Sequence, residues 1–566
     1  MTVHSIDWIV FGVYLAVVFA FGLYMSMRDK SSQDFFLAGR SLPWYAIALS
    51  LFASNISSGS LVALAGDAYR YGIAVSTLEW GAIICLVLLA FVFLPYYRRT
   101  TVMTTPEFLE KRYGPWARTL FAGTVVFVEL SVYLPFMFYA GGLFLETLFA
   151  LPFFWSVLGI ALFVGLYTTI GGLSAVVWTD VIQGVLMVAG GLTVTVLALV
   201  KIGGWVKFCE HLPEGHMSVF LPGDHEAFPF PATLIGGYIM ISIYYWCQNQ
   251  TIVQRTLAGR SDWDSRMGAV GAGYIKLILP FVLVLPGVLA VVLIPDLGIG
   301  AEADKALPLL IKAVVPIGLM GLVMAAMVAS LMSSADSGLN SLATIVTNDF
   351  YHRWMDREAS QQKLVLVGRV ASVAILVCAV ARALTLQETP SLMQFLQSGL
   401  AYLAAPVIVV FIAGVFWRGA TSAGAVVTFV AAPFVCLFAQ NGHDVLNEWL
   451  PGVADWWPLH VVYWLPIAVG LLTALLVGIS LFTNRKTDAE LEPILWTPER
   501  TLTFDQRAFD RSDSPVVADG DKDQGSRRRS WVYDYRLWAV VALILMLIEI
   551  WWFGESCYQA ILFVAV

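Results

Sequence analysis

Residues 53–60 read Ala53-Ser54-Asn55-Ile56-Ser57-Ser58-Gly59-Ser60. This small, polar, glycine-containing stretch lies in the middle of an apolar run, 43–70, long enough to cross a bilayer. Backbone in hydrocarbon must satisfy its own hydrogen bonds, so an irregular turn is tolerated only where it is buried in protein or lines a cavity. A helix unwound there offers freed carbonyls to a cation. A second segment reads as broken in the same way: Ser330-Leu331-Met332-Ser333-Ser334-Ala335-Asp336-Ser337. Ser330, Ser333, Ser334 and Ser337 recur at i, i+3, i+4, i+7 and share one helix face. A hydroxyl stripe also serves as packing glue between membrane helices, and either segment alone is open to that explanation. Together they supply carbonyl and hydroxyl oxygens, the ligands of hard cations. The set around 330–334 is neutral, which suits weak, reversible binding of Na+.

The rest of the chain supports a membrane setting. Of 566 residues, 59% are hydrophobic and 13% charged, the latter about half the share in soluble domains. We expect an all-α polytopic membrane protein with fourteen spans, near 7–27, 43–70, 75–97, 117–147, 150–169, 173–200, 231–250, 264–295, 316–350, 363–384, 390–416, 421–440, 458–482 and 535–556. The basic residues orient them. With the N-terminus outside, 26 of the 33 fall in cytoplasmic loops and 6 in outer loops, and Lys276 alone is left within a span. That asymmetry is a positive-inside signal and places both termini outside. The multi-pass chain is expected in the cell membrane.

Several function classes are excluded. The formal charge of −7, with no basic stripe, argues against a nucleic-acid partner. The six cysteines form no CxxC pair and mostly lie in apolar runs, so neither a disulfide framework nor a zinc site is expected. There is no HExxH or nucleophile motif to mark an enzyme, and no organic cofactor is implied. The first apolar run is too long for a signal peptide and reads as a retained helix. Residues 483–534, charge-rich and ending near Arg527, Arg528 and Arg529, read as a partly disordered cytoplasmic linker. The arginine triplet anchors the last helix or touches anionic head groups.

A charge at mid-membrane costs a few kcal/mol even on the lenient insertion scale, about 2.5–3.5 for Arg, Lys or Asp, and marks a functional candidate. Glu79, Glu129, Asp180, Lys276, Asp336 and Glu549 qualify. Glu79 and Lys276 have opposite signs and read either as a structural salt bridge or as two halves of a polar-ligand site. Glu129 is open between structural pairing and the solute path. Glu549 reads as an interhelical hydrogen bond or an interfacial residue. The seventh span ends in Tyr244-Tyr245-Trp246-Cys247-Gln248-Asn249-Gln250. Its aromatics form an interfacial belt, or, interleaved with amides, a face that stacks on a sugar while the amides bond its hydroxyls.

The chain resembles the sodium/solute symporter family, in its sodium/glucose cotransporter branch. The resemblance rests on Asp34-Phe35-Phe36-Leu37-Ala38-Gly39-Arg40-Ser41-Leu42-Pro43-Trp44, on Gly171-Gly172-Leu173-Ser174-Ala175-Val176-Val177-Trp178-Thr179-Asp180, on Gln254-Arg255-Thr256-Leu257-Ala258, and on Asn340-Ser341 with Ala343-Thr344. It extends from about Ile6 to the last helix. It implies the leucine-transporter fold, two five-helix repeats inverted in the membrane. The chain would then divide into a leading helix and loop (1–42), repeat one (43–200), an extracellular loop (201–230), repeat two (231–416), two peripheral helices (417–482), the linker (483–534) and a final helix (535–566).

The resemblance also implies sites. The family's sodium site maps onto the carbonyls of Ala53, Ile56 and Ser330 and the hydroxyls of Ser333 and Ser334. The sugar site of the branch's galactose carriers is matched by Glu79, Lys276 and Gln397, with Tyr245 as the ring closing the inner side and Trp246 and Asn249 beside it. Two positions depart. Ser60 stands where those carriers have Gln and animal glucose carriers have His, and Ser242 stands where they have Asn. The shorter side chains leave room for a larger solute or for water. Some relatives carry a second sodium, which here would use Asp180, Ser333, Asp336 and Ser337. Asp336, a carboxylate in place of a hydroxyl or alanine, is open to a second cation, a proton or simple pairing. The implied activity is Na+-coupled symport of a neutral, sugar-like solute; inositol, another polyol, a sugar acid or an amino acid is the alternative.

Overall fold

A computed structural model describes residues 4–26, 40–99, 105–168, 173–225, 227–387, 389, 391–449, 460–492, 494–496 and 534–553. Most of the 483–534 linker, including Arg527–Arg529, lies outside the described residues. Among the described residues the secondary structure is helical, apart from one isolated parallel bridge between Leu42 and Gly259. The helices used below are α1 (Ser5–Ser26), α2 (Trp44–Asn55), α3 (Ser58–Tyr71), α4 (Thr77–Leu88), α5 (Pro115–Val128), α6 (Leu134–Phe149), α7 (Phe153–Thr168), α8 (Leu173–Ile202), α9 (Gly237–Ile243), α10 (Gln250–Leu257), α11 (Asp262–Leu279), α12 (Leu285–Leu293), α13 (Met320–Ile345), α14 (Gln361–Ala383), α15 (Leu392–Phe416), α16 (Ser422–Trp449), α17 (Val461–Leu481) and α18 (Tyr535–Trp552).

The break expected at 53–60 is present. α2 stops at Asn55, Ile56 is extended (φ −90°, ψ 100°), and Ser57 caps α3 by accepting the Ser60 N–H at 2.9 Å. A serine hydroxyl at an N-cap replaces a lost helical bond, so the chain can restart in a buried setting. A second break of the same chemistry lies in the aromatic segment. After α9 comes a π-helical turn, Tyr244–Gln248; Asn249 is then extended (φ −65°, ψ 130°) and caps α10, accepting the Thr251 N–H at 2.8 Å.

The 330–337 segment, by contrast, is not broken: α13 runs through it without interruption. Two of its hydroxyls fold back on their own helix, Ser330 to the Met327 carbonyl (2.7 Å) and Ser337 to the Ser333 carbonyl (2.6 Å). Serines bonded this way tax a helix only slightly and need no unwinding.

The packing builds a bundle around α2, α8, α11 and α13, with α3 against α6 and α12, and α15 against α9 and α17. At Gly321, where a Cβ would stand 2.3 Å from the Asp7 carbonyl oxygen, α1 docks directly onto α13. The Asp7 carboxylate accepts the N–H groups of Gly318 and Gly321, each at 2.9 Å. α18 lies on α11 and α4, tied by the Trp80 Nε1–H donated to Glu549 at 2.7 Å, which assigns Glu549 the interhelical hydrogen bond. Ten described helical stretches are long and apolar enough to cross a membrane, and Ser5–Val18 and Phe153–Gly165 are shorter apolar helices. The chain is an integral, multi-pass membrane protein. Against expectation, Cys209 is disulfide-bonded; Cys85, Cys247, Cys378 and Cys436 are free.

Candidate functional site

The two breaks flank a cavity in the bundle. Seven of the eight expected solute residues line it: Ser60 on α3, Glu79 on α4, Ser242 on α9, Tyr245 and Trp246 on the π-helical turn, Lys276 on α11 and Gln397 on α15. Asn249 is not among them; its side chain is spent on capping α10 and reaches the Tyr244 hydroxyl at 3.4 Å.

Lys276 and Glu79 form a buried ion pair, Nζ to Oε2 2.5 Å. The Lys276 ammonium also donates to Asn55 Oδ1 and lies 5.0 Å from the Trp246 ring centroid. The pair is electrically neutral, which is how two charges persist away from water. Gln397 Oε1 is buried with no hydrogen-bond partner. Leaving such an acceptor empty costs about 1–3 kcal/mol, so it marks a place for a donor from outside the chain, such as a solute hydroxyl.

Two polar cavity residues escaped the sequence reading. Asn55 sits inside the broken segment, and its place as the last residue of α2 turns its amide inward. Tyr133 belongs to a π-helical turn, Glu129–Tyr133, joining α5 to α6, and its hydroxyl stands 3.4 Å from that of Tyr245. No pattern in the sequence marks Tyr133.

The expected sodium ligands are neighbours. Ala53, Ile56, Ser330, Ser333 and Ser334 are all buried. The Ser334 hydroxyl donates to the Ser54 carbonyl at 3.3 Å, holding the hydroxyl stripe of α13 against the last turn of α2. The contact brings hydroxyl and carbonyl oxygens of the two helices together. Ser333 donates to Asp180, which also accepts from Ser50 (2.7 Å) and Ser54 (3.2 Å).

Arg255 enters the same cluster. Counted from sequence among the cytoplasmic loop residues, it lies on α10 and is 2% exposed. Its guanidinium donates to Ser50 (2.9 Å), Ser337 (2.6 Å) and the Thr251 carbonyl (2.8 Å), and pairs with Asp180 at 3.3 Å. Thus the group beside Asp180 and Ser337 is a fixed guanidinium. Asp336 is fully buried; its Oδ1 lies 3.4 Å from the Ser337 hydroxyl and its Oδ2 has no partner. Among the described residues Arg255 pairs with Asp180, and Asp336 makes no ion pair.

Ion clusters stand at both rims. At one, Arg70 on α3 pairs with Asp67 (2.7 Å) and with Asp304 (2.9 Å) on the short helix Ala301–Lys305, and donates to the carbonyls of Ile299 (2.9 Å) and Gly300 (2.7 Å). Asp67 also accepts from Ser391 (3.1 Å), and Asp304 from the Leu392 N–H (3.3 Å), at the start of α15. At the other rim, Glu110 on the helix Thr105–Tyr113 pairs with Arg353 (2.6 Å) and Arg118 (2.6 Å), and Arg118 with Asp349 (2.5 Å).

Known proteins share this architecture. The fold matches that of a Na+-coupled sialic acid symporter in a substrate-bound outward-open state, with a TM-score of 0.74 at 23% identity, covering 85% of this chain and 99% of that one. By sequence, the chain is 39% identical over 464 residues to a sodium/glucose cotransporter of Vibrio parahaemolyticus, covering 77% of this chain and 85% of the relative. It is 34% identical over 465 residues to sodium/myo-inositol cotransporter 2 of Sus scrofa (75% and 68% covered). It is 32% identical over 599 residues to a sodium/mannose cotransporter of Bos taurus (97% and 96% covered). These relatives are cotransporters, not enzymes. Residues 35–431 match the sodium:solute symporter family, and the chain belongs to that family.

Proposed function

We propose that the protein carries a hexose-like sugar into the cell by sodium-coupled, alternating-access symport. The observation that carries this reading is the cavity in which a neutralised Glu79–Lys276 pair, an unpartnered Gln397 carbonyl and the Tyr245 and Trp246 rings converge. Carboxylate, ammonium and amide bond hydroxyls, and the rings take the C–H face. Ser60 and Ser242, both short, line the same cavity, so inositol, another polyol, a sugar acid or an amino acid is the second reading. The named substrates of the relatives, glucose, myo-inositol and mannose, favour the polyhydroxylated class.

In this reading Na+ from outside binds between Ala53, Ile56, Ser330, Ser333 and Ser334 and orders the α2–α3 break against α13. The region of Asp180, Ser333, Asp336 and Ser337 is a candidate for a second cation, because one guanidinium does not neutralise two carboxylates. The chain crosses the cell membrane fourteen times, with both termini outside and inverted repeats at 43–200 and 231–416. The matched breaks at Ile56 and Asn249, one early in each repeat, support that assignment. One charge falling through 100 mV supplies about 2.3 kcal/mol, and a tenfold gradient adds about 1.4 kcal/mol.

Uptake of radiolabelled galactose, glucose or myo-inositol into proteoliposomes tests the proposal. An imposed Na+ gradient drives accumulation; equal uptake with K+ would reject sodium coupling. Glu79→Ala abolishes uptake and Glu549→Ala does not, and the reverse pattern would sink the site assignment.

A further inference from the structure

Glu129 has no role in the cavity just described. It opens the π-helical turn Glu129–Tyr133 in the middle of a long membrane-crossing stretch, Pro115–Phe149, and is 7% exposed. Among the described residues no basic side chain pairs with it, and its Oε2 has no hydrogen-bond partner. Asn249 and the Tyr133, Tyr244 and Tyr245 rings stand around it, and the Asn249 amide donates to the Tyr244 hydroxyl at 3.4 Å. A π-helical turn re-aims side chains and often marks a functional site. Here two such turns, Glu129–Tyr133 and Tyr244–Gln248, face each other.

They meet in two rungs. The first is the Tyr133–Tyr245 hydroxyl pair, whose members line the cavity. The second is Glu129 with Asn249, each four residues along the chain from its tyrosine, Asn249 standing beside Glu129. Since α5 begins at the loop bearing Lys111, Arg112 and Arg118, the second rung lies on the cytoplasmic side of the first. The chemistry of the cavity is repeated there: a carboxylate, a carboxamide and tyrosine hydroxyls, with an acceptor oxygen unused.

We propose that Glu129 and Asn249 form a second binding station, where the transported polyol rests its hydroxyls after passing Tyr245 on the way to the cytoplasm. The inference depends on the symport of a hydroxyl-rich solute argued above. The Glu129 carboxylate accepts two solute hydroxyls, one at the free Oε2. Asn249, held by its cap bond to Thr251, keeps that carboxylate aimed.

The test uses the full chain and whichever of radiolabelled D-galactose, D-glucose and myo-inositol the wild type accumulates. Equilibrium binding in Na+ is measured on purified protein, and exit from preloaded proteoliposomes into Na+-free buffer. For Glu129→Gln, binding stays within about twofold of wild type. Exit slows about tenfold or more, as expected for losing hydrogen bonds to a charged acceptor. Glu129→Asp, which keeps the charge, recovers most of the rate. A purely structural role would lower binding and exit together and would not be rescued by Asp; that pattern overturns the proposal. So does wild-type exit in Glu129→Gln, or a variant whose Na+ requirement changes while solute exit does not, which makes the position a cation site. If the wild type accumulates none of the three probes on a Na+ gradient, the symport reading itself fails and takes this one with it.

Discussion

The two rims of the cavity are held by ion clusters of different stoichiometry. On the outer rim, in the orientation proposed above, one arginine serves two carboxylates: the side chains of Arg70, Asp67 and Asp304 are 5%, 1% and 3% exposed. On the inner rim two arginines serve two carboxylates; Arg118, Arg353 and Glu110 are 18%, 17% and 32% exposed, and Asp349 alone is buried, at 3%. The outer cluster joins α3, the Ala301–Lys305 helix and the start of α15, and both long helices send residues into the cavity. Opening the cavity outward must pull this cluster apart. A dry, charge-deficient cluster is a stiff latch with a large penalty for losing its one cation; a wet, balanced cluster is a weak clamp. Arg70→Ala sets this contrast at its largest. Breaking a buried pair by removing one partner costs about 3–5 kcal/mol, and here two carboxylates are left bare. The variant should rest with its outer side open. A cysteine introduced at Leu64, which lines the cavity on the same helix, should then react much faster with a membrane-impermeant thiol reagent added outside. Unchanged labelling would remove the outer latch.

The deficit of positive charge also makes the outer cluster pH-sensitive. Burial pushes the Asp304 carboxyl up to about 7, Arg70 pulls it down, and the nearby Asp67 charge raises it again. The other groups around it are Tyr139, facing it from α6, and the Glu302–Lys305 pair on its own helix. Once the latch opens and Asp304 meets water, its value returns towards the ordinary 3.8. The closed form therefore holds the proton more tightly. Its advantage is complete below the ordinary value and is lost as external pH rises through about 7. Uptake limited by outward opening should quicken between pH 6 and pH 8, by at most about tenfold per unit. Asp304→Asn should flatten that profile while keeping uptake; a variant with the wild-type slope would assign the pH response to another group.

The parts of this picture differed in how far the sequence revealed them. The α2–α3 break was legible because Ser57, Ser58, Gly59 and Ser60 lower the apolarity of a span where nothing else does. The Asn249 break was not, since Tyr244, Tyr245 and Trp246 keep the segment apolar and an amide cap is one residue long. The serine stripe of α13 was over-read: the composition resembles a break, but each hydroxyl that folds back on a carbonyl leaves the helical ladder intact. Glu79 and Lys276 stand out because charge is rare in hydrocarbon, whereas Gln397 comes only from the family resemblance. Arg255 was misplaced for the converse reason: at the end of a span, burial and exposure have the same sequence. The outer latch was invisible, because Asp67 and Arg70 fall at a span end and Asp304 in a loop, and only folding brings them together.

The inner clamp supplies the smallest effect and the control for the other two. The bonds from Arg353 hold the Glu110 carboxyl down to about 2 against the opposing push of burial, with those from Arg118 adding to them. A depressed carboxylate contributes above its ordinary value of 4.5, and that contribution is lost only as pH falls through about 2. Across pH 5–8 the Glu110 pairs should therefore not respond to cytoplasmic acidification. Because Glu110, Arg118 and Arg353 are partly hydrated, each of the two Glu110 pairs contributes about 0.5 kcal/mol, and Glu110→Gln should change the uptake rate by about fivefold. The same uptake assay, run at pH 5, 6.5 and 8 on the inner side, checks both statements. A steep pH response, or loss of transport as complete as in Glu79→Ala, would make the inner cluster a latch in its own right. The difference between the rims would then lie in which one breaks first, not in how strongly each holds.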